Sequence, residues 1–294
     1  MSAPRRSRRA VLAGVAGALG GVAGCAGSEG SVSMLVAGSL NDAVEHGLRP
    51  ALDTPLRPEA RGSATAARLV AEGTKDPDIV SLADPALFDS PLAPDWYAEF
   101  ATNELVLAYD ADSEGGERVA AAERWYRPLL SEDVSLGRTD PDTDPLGYRA
   151  LFALELATEH YGLERDLREA VPERDQVYPE TQLISAFETG NIDAALAYRN
   201  MAVERGYDYV PLPPEINLSD PAHADRYATA TYELPGGRVV EGGVISYAAT
   251  LRRSTAATRA VFRAHVAGDY LHEFGFDVPD DYPAYTGTPP NGVA

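Results

Sequence analysis

Two glycine-serine steps, Gly38-Ser39 and Gly62-Ser63, carry the chemistry most easily read in this chain. The apolar run Ser33-Met34-Leu35-Val36-Ala37 stops at the first, as a buried strand entering a tight turn does. Arg61-Gly62-Ser63 opens a second turn, and the alanine-rich stretch from Ala64 to Glu72 predicts a helix with Ser63 as its N-cap. In open α/β sheets, strand ends meet helix N-termini whose free N–H groups and hydroxyls suit an anion. A lone Gly-Ser turn is common punctuation, so the order of the two junctions weighs more than either.

Other reactive groups point away from catalysis. The five histidines, His46, His160, His223, His265 and His272, are scattered and expected on surfaces or helices. No Gly-x-Ser-x-Gly, His-Glu-x-x-His or phosphate-loop pattern occurs, so the expectation is a protein that is not an enzyme and has no cofactor. Asp140, Asp142 and Asp144 alternate, but Pro141, Pro145 and a missing glycine and distal glutamate break a calcium loop.

Elements must position these groups. With 294 residues, 45% of them hydrophobic, the chain can build one or two globular domains. Candidate strands at Asp78 to Leu82, Glu104 to Tyr109 and Ala194 to Tyr198 alternate with candidate helices at Tyr148 to His160 and Ile184 to Glu188, the last ended by Gly190. Such alternation predicts parallel sheets covered on both faces, in two α/β lobes. Acidic residues number 45 against 25 basic ones, and Lys75 is the only lysine. A net charge of −20 argues against nucleic acid as a partner. Abundant acids with almost no lysine resemble proteins of extreme-salt organisms, where screening shortens the Debye length to about 3 Å or less.

The N-terminus reads as an address. Arg5, Arg6, Arg8 and Arg9 precede a small-residue apolar stretch from Ala10 to Gly24, too short to span a membrane well. Ser7-Arg8-Arg9-Ala10-Val11-Leu12 resembles a twin-arginine export signal, and Val22-Ala23-Gly24-Cys25 resembles a lipobox. Residues 1–24 are thus expected to be removed, leaving lipidated Cys25, the only cysteine, at the head of a tether over residues 25–33. Losing four arginines takes the formal charge from −20 to −24. The expected location is extracytoplasmic, at the membrane through the lipid.

Ala37-Gly38-Ser39-Leu40, Arg61-Gly62-Ser63-Ala64, Asp95-Trp96-Tyr97, Phe100-Ala101-Thr102-Asn103-Glu104, Asp144-Pro145-Leu146-Gly147-Tyr148-Arg149 and Leu212-Pro213-Pro214-Glu215-Ile216-Asn217-Leu218 together resemble the archaeal tungstate/molybdate-binding proteins of ABC transporters. The likeness runs in order from about Met34 to Pro289-Pro290-Asn291. It implies a periplasmic-binding-protein-like α/β fold over residues 34–294: two lobes with a hinge and a ligand cleft, lobe 1 at about 34–107 plus a C-terminal part and lobe 2 at about 108–240. It further implies a monomer that binds a small oxyanion and hands it to permease subunits.

Residue by residue, the resemblance implies that Ser39, Ser63 and Tyr198 bind the oxyanion and that Asp144 and Glu180 coordinate its metal, raising it from four toward six ligands. Asp144 equally suits an Asx turn or helix cap, Glu180 a partner for a helix dipole, and Tyr198 a core position. Two carboxylates beside a dianion repel it, by about 4 kcal/mol per unit-charge pair at 4 Å and an effective dielectric of 20. Coordination to a hexavalent centre outweighs that, whereas sulfate gains no such compensation. Hydrogen bonds from serines and amides are expected to supply the remaining neutralisation without Lys or Arg. The alternatives are a receptor for another oxyanion such as sulfate or phosphate, and a lipid-anchored surface scaffold module.

Overall fold

The structure, a computed structural model, describes residues 30–171, 177–183, 185–235 and 237–293. The expected export signal, Cys25 and most of the tether lie outside the described residues. Among those described, no helix is long and apolar enough to cross a membrane.

The first apolar run forms β1 (Val32–Ala37), and the chain then winds into short helical turns over Gly38–Leu40 and Ala43–Leu48. β2 (Leu56–Arg61) leads through Gly62 into α1 (Ser63–Ala71), followed by β3 (Ile79–Leu82) and β4 (Trp96–Thr102). At Asn103-Glu104 the chain crosses into β5 (Leu105–Tyr109) of another sheet. That region continues with α2 (Glu114–Ala120), β6 (Leu136–Thr139), α3 (Pro145–His160), α4 (Leu167–Ala170) and β7 (Val177–Tyr178). α5 (Glu180–Leu183), α6 (Ser185–Glu188), β8 (Ala194–Tyr198), α7 (Arg199–Arg205) and β9 (Asp208–Pro211) complete it. The return path holds α8 (Ala224–Tyr227) and a hairpin of β10 (Thr231–Leu234) and β11 (Arg238–Glu241). β12 (Ser246–Leu251), α9 (Ala256–Ala267) and β13 (Ala284–Gly287) rejoin the first sheet.

Two α/β lobes result, with strand orders β13-β4-β12-β3-β1-β2 and β7-β6-β8-β5-β9. The sheets are mixed, which corrects the parallel arrangement expected from alternation. β1, β2 and β3 are parallel to one another, as are β6, β7 and β8, but β12 runs antiparallel to β3 and β4, and β5 antiparallel to β8 and β9. The reason is the crossing: a chain that leaves one sheet and later returns enters each against its parallel core. The two paths are stitched where they meet, Leu105 N–H donating to Asn217 O and Asn103 N–H to Ile245 O.

β1 is buried on both faces, which is why it reads as a continuous apolar run. Leu35 packs with Ala66, Val70 and Phe88 on the α1 side, while Met34 and Val36 join the other cluster, to which α9 contributes Val261 and Phe262. α9 starts at a capping box between Thr255 and Thr258 and ends at Gly268, whose φ of +75° suits a residue without Cβ. His265 on α9 is fully buried, between Ser81 Oγ at 2.8 Å and Tyr270 OH at 2.7 Å, and burial lowers its pKa to about 3. It is therefore a neutral helix residue facing the core. Phe262 stacks edge-on against Trp96 at 5.3 Å; Phe262→Ala is expected to lower stability by about 3 to 5 kcal/mol in chemical denaturation, and a loss under about 1 kcal/mol would contradict this packing.

Candidate functional site

Asp144 and Glu180 come from different elements of the second lobe and both face the first. Asp144 is the N-cap of α3, extended at φ −151°, ψ 156°, with Pro145 fixing the first helical turn. Its Oδ1 accepts from Gly147 N–H at 3.1 Å and from Thr139 Oγ1 at 2.9 Å. The helix-cap role is thus real, and it ties one oxygen of the carboxyl in place. Glu180 opens α5 and is likewise anchored by one oxygen: Oε2 accepts from Gly38 N–H of the first lobe at 2.9 Å. Its Oε1 is buried with no hydrogen-bond partner. Both side chains are nearly inaccessible, at 1% and 3% exposure.

Burial raises both carboxyls above the ordinary range, and Asp144 is raised further by the charge of Glu180. The Ser39 hydroxyl and the Gly38 and Ser39 amides pull Glu180 back down without cancelling burial. The glycines are needed for this approach. A Cβ on Gly38 would lie 2.7 Å from Glu180 Oε2, and one on Gly62 would lie 2.7 Å from Thr143 O and 2.9 Å from Asp144 Cβ.

Ser39, Ser63 and Tyr198 are all buried, and of the three only Ser39 lines a cavity with Glu180. Ser39 Oγ accepts from Tyr247 OH at 3.1 Å, and its carbonyl accepts from Asn200 Nδ2 at 2.8 Å. Ser63 is the first residue of α1 and not its cap. Gly62, at φ −55°, ψ 132°, holds the cap position, and Ser63 Oγ instead accepts from Ala83 N–H at 3.1 Å. Tyr198, the last residue of β8, accepts from Arg149 Nη1 at 2.8 Å.

Arg149 corrects the expectation of a site without cations. It is 4% exposed, donates also to Ala83 O, and lies 3.7 Å from Asp84 Oδ2, which takes a short hydrogen bond from Tyr148 OH. Its charge also favours the ionised form of Glu180. The Asp-Pro-Leu-Gly-Tyr-Arg run contains it, but only folding brings it to Asp84 and Tyr198.

A cavity of about 350 Å³ opens between Ala60, Gly62 and Thr65 of the first lobe and Asp144, Tyr178 and Glu180 of the second. Glu180 also lines a smaller space of about 50 Å³ with Ser39 and Glu204. Burial pushes Glu204 up to about 8, although Asn200 Nδ2 donates to it at 2.9 Å. Among the described residues no group of three or more His, Cys, Asp or Glu could hold a metal ion. The site thus offers paired carboxyls, amides and hydroxyls, not a cage for a bare cation.

Two α/β lobes, joined by crossing segments and meeting over a polar cleft, define the periplasmic-binding-protein-like fold. A sulfate-binding protein from Mycobacterium tuberculosis has this architecture, with TM-score 0.59 over 86% of this chain and 88% of that one; at 15% identity the likeness shows the fold alone. The sequence matches the bacterial extracellular solute-binding protein family over residues 45–264, and the chain belongs to that family. A protein of Haloferax volcanii provisionally named an ABC transporter molybdenum-binding protein is 54% identical over 88% of this chain and 86% of its own. A molybdate/tungstate-binding protein of Thermococcus kodakarensis is 32% identical over 68% of this chain and 64% of its own.

Raised carboxyls fix a sign for pH dependence. Asp144, Glu180 and Glu204 hold protons in the fold at pH values where unfolded carboxyls, titrating near about 4, have lost them. Their contribution to stability is complete below that unfolded value and is lost as pH rises through the raised range, to about 8 for Glu204. The urea midpoint of the chain without added anion is expected to fall between about pH 5 and about pH 8, and to fall less in a Glu180→Gln, Glu204→Gln double variant. A wild-type midpoint that rises over this window would contradict the assignment.

Proposed function

We propose that this chain is the extracytoplasmic substrate-binding component of an ABC importer for molybdate or tungstate, and not an enzyme. It would be exported through a twin-arginine signal over residues 1–24 and held to the membrane by a lipid on Cys25. Residues 34–294 would serve as the binding domain of a monomer in a high-salt setting, delivering the anion to permease subunits.

One observation carries the reading of the ligand: Glu180 Oε1 is a buried acceptor with no donor, on a carboxylate whose other oxygen is anchored. A buried carboxylate oxygen needs a proton or a cationic centre. Asp144, anchored through Oδ1, is the second carboxyl lining the same cavity. A metal that brings four oxygens of its own needs two more to become six-coordinate, and the pair supplies that number. Ser39, Ser63 and Tyr198, with the Gly38 and Ser39 amides, would hold the anion's oxygens, and Arg149 would offset part of the negative charge.

The same orphaned oxygen also suits a second ligand, monohydrogen phosphate, whose proton it would accept. Sulfate brings neither a proton nor an expandable centre and leaves both carboxylates repelling it. Calorimetric titration in molar salt separates these readings. Tungstate and molybdate are expected to bind and sulfate not, while Asp144→Ala or Glu180→Ala lowers tungstate affinity more than about tenfold, or about 1.4 kcal/mol. Glu180→Gln is expected to weaken tungstate binding while raising the melting temperature of the chain without anion, because an amide cannot ionise in the interior. Phosphate bound more tightly than tungstate, or unchanged tungstate affinity in the carboxylate variants, would overturn the reading.

A further inference from the structure

We propose that Asn103, Tyr247 and Arg149 are positioning residues that fix the direction in which the Ser39 and Tyr198 hydroxyls present their protons. The claim rests on the function proposed above and concerns groups that line neither cavity. Its starting point is a backbone amide at the lobe crossing. Glu104 N–H donates to Asn103 Oδ1 at 2.9 Å, which settles which end of the Asn103 amide is which. Asn103 Nδ2 then donates to Asn200 Oδ1 at 2.8 Å and to Tyr247 OH at 3.4 Å. With a donor at its oxygen, the Tyr247 hydroxyl turns its own proton to Ser39 Oγ, 3.1 Å away. Ser39 must therefore send its proton away from Tyr247, toward the side where Glu180 lies. Asn200, oriented by the same Asn103, holds the Ser39 carbonyl at 2.8 Å.

A second limb does the same for the other hydroxyls. Arg149 can only donate, so Tyr198, which accepts from Nη1, must aim its proton elsewhere. Arg149 also grips the Ala83 carbonyl, while the N–H of Ala83 fills an acceptor position on Ser63 Oγ. Asn103, Tyr247, Arg149, Ser39, Ser63 and Tyr198 are all buried, so water does not compete for these directions. Every hydroxyl assigned to the anion is thus met from behind by a donor. A hydroxyl so held is a committed donor, which suits an oxyanion carrying no proton of its own.

Tungstate titrations of the wild-type chain, Tyr247→Phe, Ser39→Ala and the double variant test the first limb. Tyr247→Phe is expected to lower affinity about tenfold, and the double variant to bind no more weakly than Ser39→Ala alone, because Tyr247 acts only through that hydroxyl. Tyr247→Phe is also expected to narrow the preference for tungstate over monohydrogen phosphate, since a freed Ser39 hydroxyl can accept a proton. Arg149→Lys, which keeps a donor, is expected to retain more affinity than Arg149→Met, and this reads the second limb independently of whether Tyr247→Phe folds. Losses that add in the double variant, a Tyr247→Phe chain that binds like wild type, or equal losses in both Arg149 variants would overturn the positioning role while leaving the proposed function intact. A wild-type chain that binds neither tungstate nor molybdate would remove the function and this role with it.

Discussion

Two buried carboxyl groups line one cavity, near enough that the charge of Glu180 raises Asp144, and Glu180 Oε1 has no hydrogen-bond partner. Isolated buried carboxylates are among the least favourable groups a fold can hold, and like charges at close range add to that penalty. Here Gly147 N–H at the start of α3 and the Thr139 hydroxyl hold Asp144 Oδ1, and the Gly38 amide holds Glu180 Oε2, while Glu180 Oε1 is left without a partner. The rest of the site follows from this constraint. Gly38 and Gly62 clear the space, Thr139 and the α3 N-terminus steady Asp144, and Arg149 lies near enough to act on Glu180.

The lobes meet through the same region. Gly38 N–H to Glu180, Thr65 N–H to Thr143 O, Arg149 to Ala83 O and Asn200 to the Ser39 carbonyl all join first-lobe backbone to the second lobe. On the proposed reading anion recognition and lobe contact share residues, so a ligand that changes the charge at Glu180 would also change what holds the lobes together. Coupling of that kind is what a receptor needs if capture is to alter its shape. On the proposed reading, the destabilising pair persists because a metal with room for two more ligands turns it into a binding device.

Local features were legible in the sequence where they depend on near neighbours. The strand at Ala194–Tyr198 has the predicted bounds, since five buried residues between a polar turn and a helix leave little choice. The two Gly-Ser turns and the capping role open to Asp144 were equally visible. Ser63 slipped by one position because Gly62 takes the extended cap geometry and frees the serine for Ala83. Strand direction was not legible, because alternation of strands and helices cannot reveal where a chain crosses between sheets. Arg149 was missed as a site residue for a related reason. Its partners Asp84, Ala83 and Tyr198 lie far away in sequence, and an arginine is ordinarily read as exposed until such partners are known.

X-ray absorption at the tungsten edge, on the folded chain loaded with tungstate in molar salt, addresses the paired acids most directly. If Asp144 and Glu180 each donate an oxygen, the metal shows six oxygen neighbours, and Glu180→Ala returns the spectrum toward that of the free anion. A tetrahedral, four-oxygen spectrum in the wild-type chain would contradict the coordinating role of the pair.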